Sequence, residues 1–165
     1  MPFFAQTSFM LQGLVHLHNV IRWVILILIV IAIFRHLSGM TGKKPFTSGD
    51  KKTGLFLMIS AHTQFLLGLI LWFFGPMGYQ LLSSVGMGEA MKNPAYRFWT
   101  VEHNIGMLIA VVLITVGRGV AKKNLPDAVK HKKSFWFFLI ALIVILVSIP
   151  WPWRTVARPL FPGLH

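Results

Sequence analysis

The sequence predicts an all-α membrane protein, an antiparallel up-down-up-down bundle of four transmembrane helices. Three observations carry this prediction. Hydrophobic residues make up 55% of the 165-residue chain and charged residues only 12%, whereas soluble globular chains carry about 25% charged residues. Four apolar stretches approach the length of about 20 residues that a helix needs to cross a bilayer. The lysines and arginines concentrate in two of the connections between these stretches.

The four helices are predicted within one integral membrane domain that covers residues 1–165, at about 14–36, 53–75, 98–118 and 134–151. Residue types that end or cap helices separate them. Gly42 and Pro45 follow the first helix, and Thr47 and Asp50 precede the second. Pro76 ends the second helix because proline cannot continue a helical hydrogen-bond ladder.

The connection at 76–97 is predicted to be a periplasmic loop and is long for a link between two helices. Two stretches within it, 79–82 and 88–92, have the composition of short helical pieces. Such pieces would lie across the mouth of the bundle. An ordinary surface loop is the alternative.

The basic residues predict the orientation in the membrane. Of 16 lysines and arginines, eleven lie in the connections after the first and third helices or in the last turns that lead into them, and only Arg22 lies deep within a helix. Because basic loops stay in the cytoplasm, both termini are expected outside a bacterial inner membrane. The formal net charge of +12 is thus mainly a signal of topology, the lipid bilayer is the expected partner of the chain, and nucleic acid is not expected as a partner.

Polar residues within the predicted helices mark a candidate site. Each ionisable group at the centre of a membrane helix costs roughly 2.5–3.5 kcal/mol, and such groups usually face the bundle interior. The ionisable and amide side chains within the predicted helices concentrate on the first three. They are His16, His18, Asn19, Arg22, His62, Gln64, Glu102, His103 and Asn104. Between residues 135 and 149 the fourth helix has Ser148 as its only polar residue, so it is expected to be an apolar wall or a docking surface.

Helical phase separates the residues of the first helix. His18 and Arg22 share a face at i and i+4, whereas His16 lies about 200° away from His18. Arg22 and Glu102 are the only opposite charges predicted at membrane depth, so we expect them to pair. Arg22 holding a carboxylate such as a haem propionate, with Glu102 as a proton relay, is the alternative.

Histidines are the candidate ligands, since the chain has no cysteine. His103 lies at a depth similar to that of His16 and His18, and either could join it as the second axial ligand of a haem iron. His62 lies deeper. It could ligate a second haem with His36 or His131, bind a quinone, or relay protons. His36, His131 and His165 are otherwise expected to be solvated or interfacial.

Segments on all four predicted helices resemble small bacterial four-helix membrane proteins of the cytochrome b-like type. They are Leu17-His18-Asn19 with Arg22 and Trp23, Ala61-His62-Thr63-Gln64 with Gly68, Val101-Glu102-His103, and Ile149-Pro150-Trp151-Pro152. The layout is similar to that of the di-haem b561 type. The chain departs from that type because its fourth helix has no internal histidine.

The resemblance implies a haem b-binding membrane protein that mediates electron transfer with quinone as its partner. The alternative is a non-catalytic membrane subunit or assembly factor of a larger respiratory or transport complex, docked through the fourth helix. No nucleophile and base are spaced as in a hydrolase, and no catalytic residue is assigned.

Overall fold

The computed structural model describes residues 2–158 and 160–161, and within these ranges the side chains from residue 9 onward. In chain order the helices are α1 (Pro2–Thr41), α2 (Ser48–Phe74), α3 (Tyr79–Lys92), α4 (Pro94–Arg97), α5 (His103–Gly119) and α6 (Asp127–Ser148). A π-helical turn, Phe98–Glu102, joins α4 to α5, and a 3₁₀ turn, Val120–Lys122, follows α5. The described residues contain no strand.

Four helical segments are long and apolar enough to cross a membrane. They are Phe9–Thr41, Ser48–Phe74, Pro94–Lys122 and Asp127–Ser148. The predicted all-α membrane fold is therefore confirmed. The helix ends differ from those expected: α1 continues beyond both expected ends, and α6 begins at Asp127 and ends at Ser148 rather than covering 134–151.

The four membrane helices pack in a closed ring. Helices α2 and α6 each lie between α1 and α5. Each helix contributes one fully buried alanine, Ala32, Ala61, Ala110 or Ala141, with at most 3% of its surface exposed. Small residues let helix backbones approach closely, which favours association where lipid offers no hydrophobic driving force. The larger buried side chains, such as Ile29 and Phe138, fill the space around these alanines.

Contacts between helix ends show how successive membrane helices are oriented relative to each other. Arg35 near the end of α1 contacts Asp50 at the start of α2, with Nε 3.0 Å from Oδ1. Trp72 near the end of α2 donates to the carbonyl of Thr100 in the π-helical turn, at 3.1 Å. Ser134 near the start of α6 donates to the carbonyl of Gly117 near the end of α5. Successive membrane helices therefore run in opposite directions.

The long connection between α2 and α5 is helical. Both stretches expected to form short helices lie in α3, so that expectation is confirmed and the surface-loop alternative is not. Gly86 divides α3 with a φ of 78°, a backbone conformation that glycine adopts without a Cβ penalty. The kink separates the two helical pieces.

Candidate functional site

Two histidines from different helices face each other inside the bundle. His18 of α1 and His103 of α5 have ring centroids 6.4 Å apart and ring planes inclined at 58°. We call them the open pair. His18 is half-buried and His16 is exposed, so it is His18 that faces the bundle. This resolves the choice between the two that helical phase left open.

His103 is oriented by the backbone of α6. Its Nδ1 lies 2.8 Å from the carbonyl oxygen of Ser148. A carbonyl can only accept, so Nδ1 carries the hydrogen and Nε2 of the neutral ring keeps its lone pair. Histidines that ligate metals are held in this way, with the second nitrogen donating to a carbonyl or carboxylate.

His18 lies against the backbone of α2. A Cβ at Gly68 would come within 3.2 Å of its Cε1, so the absence of a side chain at Gly68 makes room for the ring. Gln64 donates from Nε2 to the backbone carbonyl of His18 at 2.8 Å and so ties α1 to α2 at this level. The Nδ1 atom of His18 is buried and has no hydrogen-bond partner among the described residues.

The spacing of the open pair fits one metal ion between the rings. Imidazole nitrogens bind first-row metals at about 2.0 Å, so rings on opposite sides of one ion have centroids about 6 Å apart. The 6.4 Å separation agrees with this geometry. Within the described residues, no three histidine, aspartate or glutamate side chains gather as a metal site. The open pair thus supplies two imidazoles, the number of protein ligands that a bis-histidine haem would need.

The chain after α6 folds back over the same end of the bundle. Arg22 Nη2 and Trp23 Nε1 both donate to the carbonyl of Leu160, at 2.7 and 2.8 Å. The Trp23 ring stacks on Phe161 with centroids 5.3 Å apart. The Nε atom of Arg22 is buried and, among the described residues, has no hydrogen-bond partner.

The expected ion pair between Arg22 and Glu102 is wrong. Glu102 Oε1 accepts from Arg97 Nε at 2.6 Å, and both side chains are at least one-third exposed. The π-helical turn explains the difference, because residues five apart are neighbours in a π-helix. The turn brings Arg97 beside Glu102, while Arg22 finds a backbone carbonyl instead.

His62 does not join a second ligand pair. Its exposed side chain lies on α2, with Nε2 3.1 Å from Oγ1 of Thr115. The two histidines proposed as its partners bind each other instead: Nδ1 of His36 and Nδ1 of His131 lie 3.1 Å apart. The structure therefore does not bring His62 together with His36 or His131, the partners suggested for a second haem.

His36 and His131 were expected to be solvated or interfacial, and this was wrong: they are 2% and 1% exposed. We call them the closed pair. The early start of α6 at Asp127 places His131 on a helix that packs against α1. A Cβ at Gly39 would collide with the His131 ring, so glycine makes this approach possible. The remaining predicted histidine, His165, lies outside the described residues.

Sequence reasoning missed the partners that hold the open pair. Ser148 and Leu160 act through backbone carbonyls, which no side-chain pattern reveals. Gly106 and Ser148 are small residues on neighbouring helices, and they are the one indication of this contact in the sequence. In the structure Ser148 faces Gly106, where a Cβ would collide with the serine hydroxyl. Small residues at such a point indicate close helix contact. No family model, curated protein or solved structure matches the chain, so the geometry of the site has to carry any proposal about function.

Proposed function

We propose that this chain is a haem b-binding membrane protein of the cytochrome b-like type that mediates electron transfer, with quinone as the exchange partner that the resemblance implies. One observation carries the proposal: two imidazoles from different helices stand 6.4 Å apart inside the bundle. The hydrogen bond from His103 to the Ser148 carbonyl supports it, because it leaves Nε2 free to bind iron.

Each residue of the site then has a defined task. His18 and His103 hold the iron, and Gln64 fixes the height of α1 against α2 through the His18 carbonyl. The guanidinium of Arg22 lies one turn from His18 on α1 and would be the group to bind a propionate, since an arginine N–H binds carboxylates with a charge-assisted hydrogen bond. Haem supplies one-electron redox chemistry when bound.

The charge distribution supports a location in a bacterial inner membrane. The end of the bundle that contains the connections at 42–47 and 120–126 carries eleven of the sixteen lysines and arginines. We call it the basic end, and the positive-inside rule places it in the cytoplasm with both termini outside. The open pair lies toward the opposite, periplasmic side.

The alternative function is a membrane subunit or assembly factor of a larger respiratory or transport complex. It draws on α6, which presents an exposed apolar stripe of Trp136, Ile140, Ile143 and Val147. Lipid suffices to cover such a stripe, and similar ones lie on the other membrane helices. A subunit or assembly factor does not need the open pair to bind haem. A haem spectrum therefore distinguishes this alternative from the haem-binding function.

The test is a reduced-minus-oxidised visible spectrum of protein purified in detergent from haem-replete cells. We expect b-type haem bands in the wild type and their loss in His103→Ala and in His18→Ala, because one remaining axial histidine holds a b haem weakly. The matched control is His16→Ala, which removes the same side chain two residues away on the exposed face of α1. It should keep the bands.

Two results would contradict the proposal. A wild-type protein without haem bands would favour the subunit alternative, since that function needs no cofactor. Bands that survive both His18→Ala and His103→Ala would show that haem binds elsewhere. Far-ultraviolet circular dichroism of each variant separates loss of a ligand from loss of the fold.

A further inference from the structure

The basic end contains a cleft that the proposed electron transfer does not use. It has a volume of about 470 Å³ and opens between the last turns of α1, the connection at 42–47 and the first turn of α2. Its polar lining consists of Arg35, Ser38, Lys44, Thr47 and Asp50, and His131 forms part of its wall. Apolar surface from Phe34 and Pro45 completes the rim.

The charge inside this cleft is uneven. Asp50, the one carboxylate in the lining, is already used: Arg35 binds its Oδ1 at 3.0 Å, and Thr47 donates to its Oδ2 from N and Oγ1. Lys44 Nζ rests 2.8 Å from the hydroxyl of Ser38, a neutral group. The ammonium charge of Lys44 is therefore not compensated inside the cleft.

The surroundings add to this positive potential. Apart from Asp50, the only acidic residue at the basic end is Asp127, against eleven lysines and arginines. Like charges on low-dielectric walls raise the local concentration of anions in a cleft. The cleft is thus suited to a compact anion that accepts hydrogen bonds from an ammonium and hydroxyl groups.

The position of the cleft indicates which anion. On α1, Ile27, Ile31 and Phe34 form one exposed apolar stripe, and Phe34 is 65% exposed. Arg35 follows directly, so the cleft begins where the apolar surface of the helix ends. An amphiphile whose acyl chain lies on this stripe brings its head group to the level of Lys44. Basic pockets at this depth suit anionic head groups.

We infer that the cleft binds a phosphate group, supplied by the head group of an anionic phospholipid at the membrane surface. Lys44 provides the point charge, and the Ser38 hydroxyl, which accepts from Lys44, donates its own hydrogen to a phosphate oxygen. This inference does not depend on the open pair or on haem. A soluble phosphate has the same chemistry and is the other source of the ligand.

The experiment measures the unfolding temperature of the full chain in detergent, followed by tryptophan fluorescence, as lipid is added. The probes are dioleoyl phosphatidylglycerol, dioleoyl phosphatidylcholine and inorganic phosphate. At 0.15 M salt the screening length is about 8 Å, so distant surface charges contribute little. We expect a saturable rise with phosphatidylglycerol and an apparent Kd about fivefold weaker in Lys44→Gln, the effect of one interfacial lysine.

The matched control is Lys52→Gln, which removes the same charge from the same end but from a side chain outside the cleft lining. It should change the Kd less than twofold. An equal weakening of the apparent Kd in Lys44→Gln and Lys52→Gln would contradict the proposed site. A rise in unfolding temperature with phosphatidylcholine as large as that with phosphatidylglycerol would also contradict it. A rise with inorganic phosphate that competes with the lipid and is lost in Lys44→Gln would confirm the phosphate chemistry and replace lipid with a soluble phosphate as the ligand.

Discussion

The two histidine pairs show how little burial alone says about a ligand site. The closed pair is almost fully buried, yet its Nδ1 atoms lie 3.1 Å apart and hydrogen-bond to each other. The open pair is less buried, and its rings stand 6.4 Å apart without a bond between them. His103 commits one nitrogen to a backbone carbonyl and keeps the other. Ring separation and the state of the second nitrogen, more than burial, are therefore the differences on which our proposal of a ligand role for the open pair rests.

The pairs also lie far from each other. His18 and His36 are 18 residues apart on α1, which corresponds to about 27 Å along the axis. A change at one pair should therefore leave the other undisturbed, because sites this far apart with no shared partner behave almost additively. This independence makes the comparison testable.

The largest expected effect is stabilisation by haem that depends on the open pair alone. Haem added to haem-free protein at a thousandfold excess over its Kd should stabilise the fold by about 4 kcal/mol. In His18→Ala this increment should disappear. In His131→Phe it should remain, although the starting stability is lower. Thermal unfolding in detergent with and without haem provides the measurement, and an increment lost in His131→Phe instead would reverse the roles of the pairs.

The next effect concerns stability without haem. His36→Ala should lower the free energy of unfolding by about 2–4 kcal/mol, because it leaves a cavity and deprives a buried imidazole of its partner. The control is His16→Ala, where an exposed side chain is removed and we expect a change of at most about 0.5 kcal/mol. Unfolding in increasing sodium dodecyl sulfate gives both values. Similar losses of unfolding free energy in the two variants would show that the closed pair stabilises the fold no more than an exposed histidine does.

The same comparison shows what could be read from the sequence. The four helices followed from apolar length, and the pairing of His103 with either His16 or His18 followed from depth. Both are local properties of the chain, and helical phase separated His16 from His18 without choosing between them. The closed pair was missed because hydropathy placed the start of the fourth helix at 134. The amphipathic first turns from Asp127 begin the helix earlier and carry His131 into the bundle.

The remaining errors have a common physical cause. The Arg22–Glu102 pair was expected because charges at membrane depth need partners, and that requirement is met in the structure. The partners themselves come from a π-helical turn and from the chain after α6. Neither leaves a periodic pattern of side chains, so neither could be predicted from composition or spacing.

The smallest expected effect tests whether a carboxylate influences the open pair. Glu102 precedes His103 in the chain but pairs with Arg97 on the exposed side of the segment. Glu102→Gln should therefore change the free energy of unfolding by less than about 1 kcal/mol, as is usual for an exposed ion pair. Haem content after purification should equal that of the wild type. A loss of haem as large as that in His103→Ala would mean that Glu102 turns inward when the site is filled. The haem site would then consist of the open pair and the Glu102 carboxylate.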